Sequence, residues 1–321
     1  MSPCLGIDIG GTAVKLGLVA EGRVLARATL PFDRDQPLGP LSATLAQACV
    51  AVEAQAGHRA LAIGVSTPGF TDAQTGVLID GGGNVPALRS GSLRDLLAQR
   101  LGRPVWVEND GTAAALGELH RGAGRAFRRF ALVTIGTGIG GGIVIEERVV
   151  TGNRGEPAEL GAMVLDPDGP KNRLGMPGTF EHFAAIGAFH AAYVTQGGDP
   201  RHAPDVAMLF ARAGEDAAAA AAIETVCRRL AQGLGLLINA FNLDACLIGG
   251  GVSAAGTPLL ERVQAHLPSF TWPMLLRKTQ LLVAALGNDA GLIGAALVAE
   301  QREGERARPA VPAGGSAKPG R

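Results

Sequence analysis

Leu5-Gly6-Ile7-Asp8-Ile9-Gly10-Gly11-Thr12-Ala13-Val14-Lys15-Leu16-Gly17-Leu18 is the stretch on which the fold turns. Apolar runs on both sides of a Gly-Gly turn predict a β-hairpin. The pattern returns a domain-length later. Leu132-Val133-Thr134-Ile135 leads into Gly136-Thr137-Gly138-Ile139-Gly140-Gly141-Gly142, and Ile143-Val144-Ile145 follows. Strand, glycine-rich turn with a threonine, strand, twice in one chain, predicts a duplicated fold.

Outward from these hairpins, strands alternate with helices. Helices are predicted over Leu38–Ala56, from a Ser92 cap through Leu101, from Ala113 to Leu119, over Phe180–Tyr193 and Ala217–Ala240, and over Asp289–Glu300. In the 217–240 helix, Ile223, Val226, Cys227, Leu230, Leu234, Leu237 and Ile238 form one apolar stripe. Buried strands are predicted at Leu61–Val65, ending in Ser66-Thr67-Pro68-Gly69, at Pro104–Val107, at Ala245–Ile248 and at Leu281–Ala284. The alternation is that of an α/β protein. Residues 152–178 are rich in Gly, Pro and charge with weak periodicity, and a loop that long in a compact domain is usually functional or disordered. Residues 302–321 read as a disordered tail.

At 321 residues the chain is long enough for two lobes. Residues 1–118, joined by a closing helix near 289–301, are expected to form one, and 119–288 the other. The 47 glycines cluster in short runs rather than repeats, which points to backbone approaching ligands. Net charge is zero, with no basic stripe for nucleic acid. Cys4, Cys49, Cys227 and Cys246 lie far apart among apolar neighbours, as reduced core residues do, so a cytoplasmic setting is expected. The N-terminus lacks the pattern of a signal peptide, and no uninterrupted apolar run of about 18 residues predicts a membrane span.

Five places carry chemistry. A Gly10-Gly11-Thr12 turn exposes backbone N–H groups to phosphate oxygens, with Asp8 before it able to hold Mg²⁺ or its waters and Lys15 after it able to meet a phosphate. Thr137 and Gly138 offer a second such turn, and two turns can clamp one triphosphate, which is the positioning that phosphoryl transfer needs. Glu108-Asn109-Asp110-Gly111 sits where a strand meets a helix. Asn and Asp are good helix caps there; a carboxylate at Asp110 is equally able to take the proton of an attacking hydroxyl, with Asn109 holding a neighbouring one. Glu159 and Glu181 are acceptors for sugar hydroxyls, although either alone is more often a solvated charge. Gly249-Gly250-Gly251, after a strand and before an expected helix, is a common nucleotide-facing turn.

In this order and spacing the motifs resemble those of the ROK family (repressor, open reading frame, kinase) over about residues 4–300. The resemblance implies an actin-like ATPase (ribonuclease H-like) fold with ATP and sugar in the cleft between the lobes, an ATP- and Mg²⁺-dependent kinase of a hexose or hexose derivative, and in many members a homodimer. It implies Asp110 as general base, Asn109, Glu159 and Glu181 at the sugar with Gly69 and Asn84 as weaker candidates, Gly10, Gly11, Thr12, Thr137 and Gly138 at the phosphates, and Gly249, Gly250 and Gly251 near the adenosine. Two departures stand out. The family's zinc-binding His position is Ala162, and its cysteine positions are Asn172, Leu174 and Thr179, so no zinc is expected. Ala162 also leaves room for a bulkier sugar. Three other readings stay open: a catalytically inactive sugar-binding protein, a polyphosphate-dependent glucokinase, and a repressor. The last lacks room for a DNA-binding module before Asp8.

Overall fold

The computed structural model describes residues 2–72, 74–81, 83, 85–202 and 205–306. In chain order the elements are β1 (Cys4–Ile9), β2 (Ala13–Ala20), β3 (Arg23–Pro31), α1 (Leu38–Ala56), β4 (Ile63–Thr67), β5 (Phe70–Thr71), β6 (Leu78–Asp80), α2 (Leu93–Leu101), β7 (Val105–Asn109) and α3 (Asp110–Arg121). Then come β8 (Arg129–Ile135), β9 (Ile139–Ile145), β10 (Arg148–Val149), α4 (Phe180–Ala184), α5 (Ile186–Thr195), α6 (Val206–Arg212) and α7 (Ala217–Phe241). The chain closes with β11 (Ala245–Gly249), α8 (Thr257–His266), α9 (Pro273–Leu276), β12 (Gln280–Val283) and α10 (Ala290–Arg306).

Two five-stranded sheets repeat one plan. Their orders are β3-β2-β1-β4-β7 and β10-β9-β8-β11-β12. In each, an antiparallel meander opens the sheet and two parallel strands extend it, β1 beside β4 beside β7 and β8 beside β11 beside β12. Three apolar clusters hold the molecule. One packs the first sheet against α1 and α2, with Leu45, Ile63 and Leu97 fully buried. One packs the second sheet against α4 to α8 around Phe180, Phe189 and Leu234. The third lies between the sheets, where Leu116 and Leu119 of α3 and Leu292, Ile293 and Leu297 of α10 meet Cys4, Phe130 and Leu247.

That third cluster depends on missing side chains. A Cβ at Gly6 would overlap the carbonyl oxygen of Leu292, one at Gly64 that of Ala295, and one at Gly294 that of Ala113. Helix α10 therefore lies with its backbone directly on β1, β4 and α3. On the far side of α3, a Cβ at Gly111 would overlap the Gly141 carbonyl, and one at Gly142 would press on Ala115. The end of the second glycine run, read from sequence as clearing a path for phosphate, thus lets α3 lie close to β9. Glu118, buried in α3, accepts the backbone N–H groups of Ala123 (2.7 Å), Ala285 (3.1 Å) and Leu286 (2.8 Å). Both chain crossings between the sheets are anchored on this one carboxylate.

Several elements differ from the sequence reading. The helix expected over 180–193 breaks at Ala185 (ψ 170°), and the freed N–H of Ile186 donates to the carbonyl of Gly136 (2.9 Å), tying α5 to the second hairpin. The glycine run after β11 leads first into a short 3₁₀ turn, Gly251–Ala255, and α8 begins only beyond Gly256. The tail expected to be disordered from 302 continues α10 to Arg306, where Arg302–Glu305 and Arg306–Glu303 pair at i,i+3 (both 3.7 Å); residues 307–321 lie outside the described residues. A boundary at 118–119 falls inside α3, which continues to Arg121. No helix among the described residues is long and apolar enough to cross a membrane.

Gly64→Ala and Gly294→Ala are expected to cost about 1–3 kcal/mol or more through overpacking, read as a lowered urea midpoint. Gly39→Ala in α1, where a Cβ meets nothing within 4 Å, is the control, with an expected gain of about 0.4–1 kcal/mol.

Candidate active site

The site begins at the ends of three neighbouring strands. Register pairs Asp8 with Lys15 on one side and Ser66 on the other, and Ser66 with Glu108 beyond. Ser66 Oγ donates to Asp8 Oδ1 (2.9 Å), while Lys15 Nζ stands 3.8 Å from Asp8 Oδ2 and donates to the carbonyl of Asn288 (2.8 Å). Burial pushes the Asp8 carboxyl above its ordinary range; Ser66 and Lys15 offset this in part.

At the end of β7 the chain turns into α3. Asn109 is the N-cap, its Oδ1 accepting the Thr112 N–H (3.1 Å) and its Nδ2 donating to the Gly69 carbonyl (3.1 Å). The same side chain also hydrogen-bonds the neighbouring Asp110 carboxyl. Gly69 acts here through its backbone; with φ of +97° it aims that carbonyl at Asn109. Asp110 opens the helix, its Oδ1 accepting the Gly111 N–H (2.8 Å). Burial raises its pKa, the nearby Asp8 charge raises it further, and hydrogen bonds to the carboxylate only partly counter both.

The second lobe contributes two more carboxylates. Glu159 precedes the short turn Leu160–Ala162, and its pKa is raised by burial, then by the charges of Asp110 and Glu181. Glu181 lies in the first turn of α4, where Thr179 is the N-cap. Its Oε2 accepts the Ile139 N–H (3.0 Å), and a Cβ at Gly138 would collide with it. The second glycine turn is thereby docked onto Glu181.

Asp8, Lys15, Asp110 and Gly250 share the wall of one cavity of about 180 Å³, together with Gly111, Ala114, Thr134, Gly287, Asn288, Ala290 and Gly291. Asp110 thus stands at a junction. Asp8, Lys15 and the glycines share its cavity, and its charge reaches Glu159 of the second sheet's side. The remaining expected residues fall outside this wall. Gly11, Thr12 and Thr137 are exposed at the hairpin tips and Gly10 is half-buried, its N–H taken by the Ala13 carbonyl. Gly249 is buried at the strand end and Gly251 is exposed. Asn84 lies outside the described residues. Sequence reasoning passed over Ser66, Thr134, Asn288 and Gly291. A lone hydroxyl at the end of an apolar strand was the available signal for Ser66 and Thr134, and the Gly287/Gly291 pair was the signal at the start of α10.

A model of the ROK family matches residues 4–302. The chain belongs to the ROK family. It is 33% identical to a glucokinase of Thermotoga maritima over 319 residues, covering 94% of this chain and 98% of the relative. Among solved structures it is similar to a ROK hexokinase from Thermus thermophilus (33% identity, TM-score 0.78, covering 94% of this chain and 99% of that one). It is also similar to a ROK glucokinase from Streptomyces griseus in complex with glucose and AMPPNP (29% identity, TM-score 0.79, covering 93% and 99%). The duplicated fold read from the paired hairpins, and the two-lobe actin-like fold that the resemblance implied, are those of these ROK relatives.

Within this ROK chain the 152–178 loop is stitched by other means than thiolates. Asn172 Oδ1 accepts the N–H groups of Leu174 (2.9 Å) and Met176 (3.0 Å), and Asn172 N–H donates to the Met176 carbonyl (2.9 Å). All four cysteines are buried elsewhere, and among the described residues no His, Cys, Asp and Glu side chains gather as a metal-ligating group.

A larger cavity, about 540 Å³, lies along the opposite face of α3, where Thr112, Leu116 and His120 line it with Glu108, Arg148 and Arg302. It contains neither Asp110 nor the glycine turns. Burial pushes the Glu108 carboxyl up to about 7, against the Asn109 N–H and Arg302 that favour its charge. A carboxyl whose folded pKa exceeds its unfolded one makes the fold lose stability as pH rises between the two values. Glu108→Gln keeps an acceptor for Asn109 and removes that loss. The variant is expected to melt above the parent at about pH 8 and alongside it near pH 4, measured by thermal denaturation across pH.

Proposed function

We propose that the chain is an ATP-dependent kinase of a hexose or hexose derivative, with Asp110 as general base. The observation that carries this is the position of Asp110, between a cavity walled by Asp8, Lys15 and Gly250 and the carboxylates Glu159 and Glu181. Glycine-flanked backbone and an ammonium suit phosphate, and carboxylates suit sugar hydroxyls. A carboxylate reaching both is what moves a proton from an attacking hydroxyl as the phosphoryl group arrives. The relatives named glucokinase and hexokinase support the same assignment.

In this scheme the sugar hydroxyls are held by Asn109, Glu159 and Glu181, and the reacting hydroxyl points at Asp110. The 6-hydroxyl is the default acceptor because it is primary and least hindered. The Gly10-Gly11-Thr12 and Thr137-Gly138 turns face the phosphates, and Gly249 to Gly251 lie toward the adenosine. Asp8 fits a magnesium ion: its carboxylate is a hard oxygen donor beside a second acid, and Lys15 is the only positive side chain in the cavity wall. When bound there, Mg²⁺ would neutralise triphosphate charge. The working units are a first lobe of about residues 1–118 with α10 and a second of about 119–288, parting in the last turn of α3, with a hinge over about 117–131 and at the start of α10, and closing to exclude water. Ala162, in the turn after Glu159, leaves space that favours a substituted sugar. The setting proposed is cytoplasmic.

Coupled ADP release across glucose, mannose, fructose, glucosamine, N-acetylglucosamine and N-acetylmannosamine tests the assignment, with a polyphosphate arm for the donor. Absence of sugar-stimulated turnover with every pair would reject it. Asp110→Asn should lose at least about 100-fold in kcat. Because the folded pKa of Asp110 is raised, its ionised form costs the fold stability at neutral pH, so the same variant should melt no lower than the parent. The raised pKa also moves the acid limb of kcat/KM above the ordinary Asp value of 3.8; an acid limb at or below that value would contradict Asp110 as the base.

A further inference from the structure

Both sugar-facing carboxylates hang from one small ladder. Phe180 N–H donates to the Met163 carbonyl (2.7 Å), Leu165 and Asp166 N–H both donate to the Gly178 carbonyl (2.9 and 3.2 Å), and Val164 bridges Thr179. Glu181 follows Phe180 directly, and Glu159 precedes the turn that leads into Met163. Two residues on α7 grip this ladder from behind. The Arg229 guanidinium lies over the Phe183 ring, 4.2 Å from its centroid, stands 3.5 Å from Asp166 Oδ2, and donates to Gln232 Oε1 (3.0 Å). Gln232 in turn donates from Nε2 to the Leu165 carbonyl (2.9 Å).

We propose that Arg229 is a positioning residue for the sugar site, which with Gln232 locks the 163–166/178–180 ladder onto α7 and so sets where Glu159 and Glu181 stand. The role rests on the sugar-kinase reading. A single half-exposed ion pair holds little. Here one planar cation is committed to three partners at once, an acid of the loop, a ring of α4 and an amide of its own helix, and a guanidinium does this where an ammonium cannot. Arg229 does not touch the 180 Å³ cavity at Asp110 and Lys15. Its effect should therefore fall on the sugar and spare the nucleotide.

The test uses the full chain as Arg229→Ala, Arg229→Lys and, from the loop side, Asp166→Asn, read by steady-state kinetics and by amide hydrogen exchange without ligands. Arg229→Ala should raise KM for the best sugar of the panel by about tenfold or more, with KM for ATP within about twofold of the parent. Exchange over residues 163–181 should speed up while α7 itself stays protected. Arg229→Lys keeps the charge toward Asp166 but loses the forked guanidinium that also reaches Gln232, so it should recover only part of the loss, and Asp166→Asn should reproduce the exchange change in milder form. An unchanged sugar KM with unchanged exchange at 163–181 overturns the proposal. So does an equal rise in both KM values with a lowered melting temperature, which marks general destabilisation. If the parent shows no sugar-dependent turnover, the kinase reading fails by itself, and the exchange arm still decides whether the lock exists.

Discussion

The structure turns on the place where α3 passes between α10 and β9. Side chains are absent on the facing surfaces at Gly111, Gly142 and Gly294, and a single buried carboxylate, Glu118, gathers three N–H groups from the two segments that cross between the sheets. A buried acid or a buried N–H group left without a partner is costly. The carboxylate and those N–H groups therefore need one another. With the crossings fixed there, the two sheets meet along one cluster, and the strand ends bearing Asp8 and Thr134 open onto a common cavity.

Much of this was legible in the residues. The repeated hairpin carried the duplicated fold, because an apolar run interrupted by glycines and a threonine is hard to read otherwise. Asp8 and Asp110 stood out as acids at the ends of apolar strands. What could not be read were partners far away in the chain. Nothing in Lys15 foretells the carbonyl of Asn288, and nothing in Glu118 foretells Ala285. Glycines posed a related difficulty. Gly138, which makes way for Glu181, and Gly142, which makes way for Ala115, sit in one run and look alike, yet one serves the site and the other serves packing. The break at Ala185 was invisible for the same reason, since its cause is the hairpin carbonyl at Gly136.

Membership of the ROK family rests on the whole chain, while the details of the proposed sugar site rest on few residues. The loop between β10 and α4 is held by Asn172, whose one side-chain oxygen collects two N–H groups, and by contacts to α7. The four thiols present are all buried; the three at 49, 227 and 246 are pushed up to about 12 by burial, which makes them poor nucleophiles.

Asp110 and Glu118 occupy the same helix eight residues apart, one in its first turn and the other near its last. At a rise of about 1.5 Å per residue they are roughly 12 Å apart along the axis. The helix therefore ties the placement of that acid to the carboxylate knot, with the contacts at Gly111 and Ala113 holding its first turn. Under the proposed function, a tilt of only about 5° about the knot would move the acid by about 1 Å, and an error of that size in a reacting group can cost about 100-fold in rate.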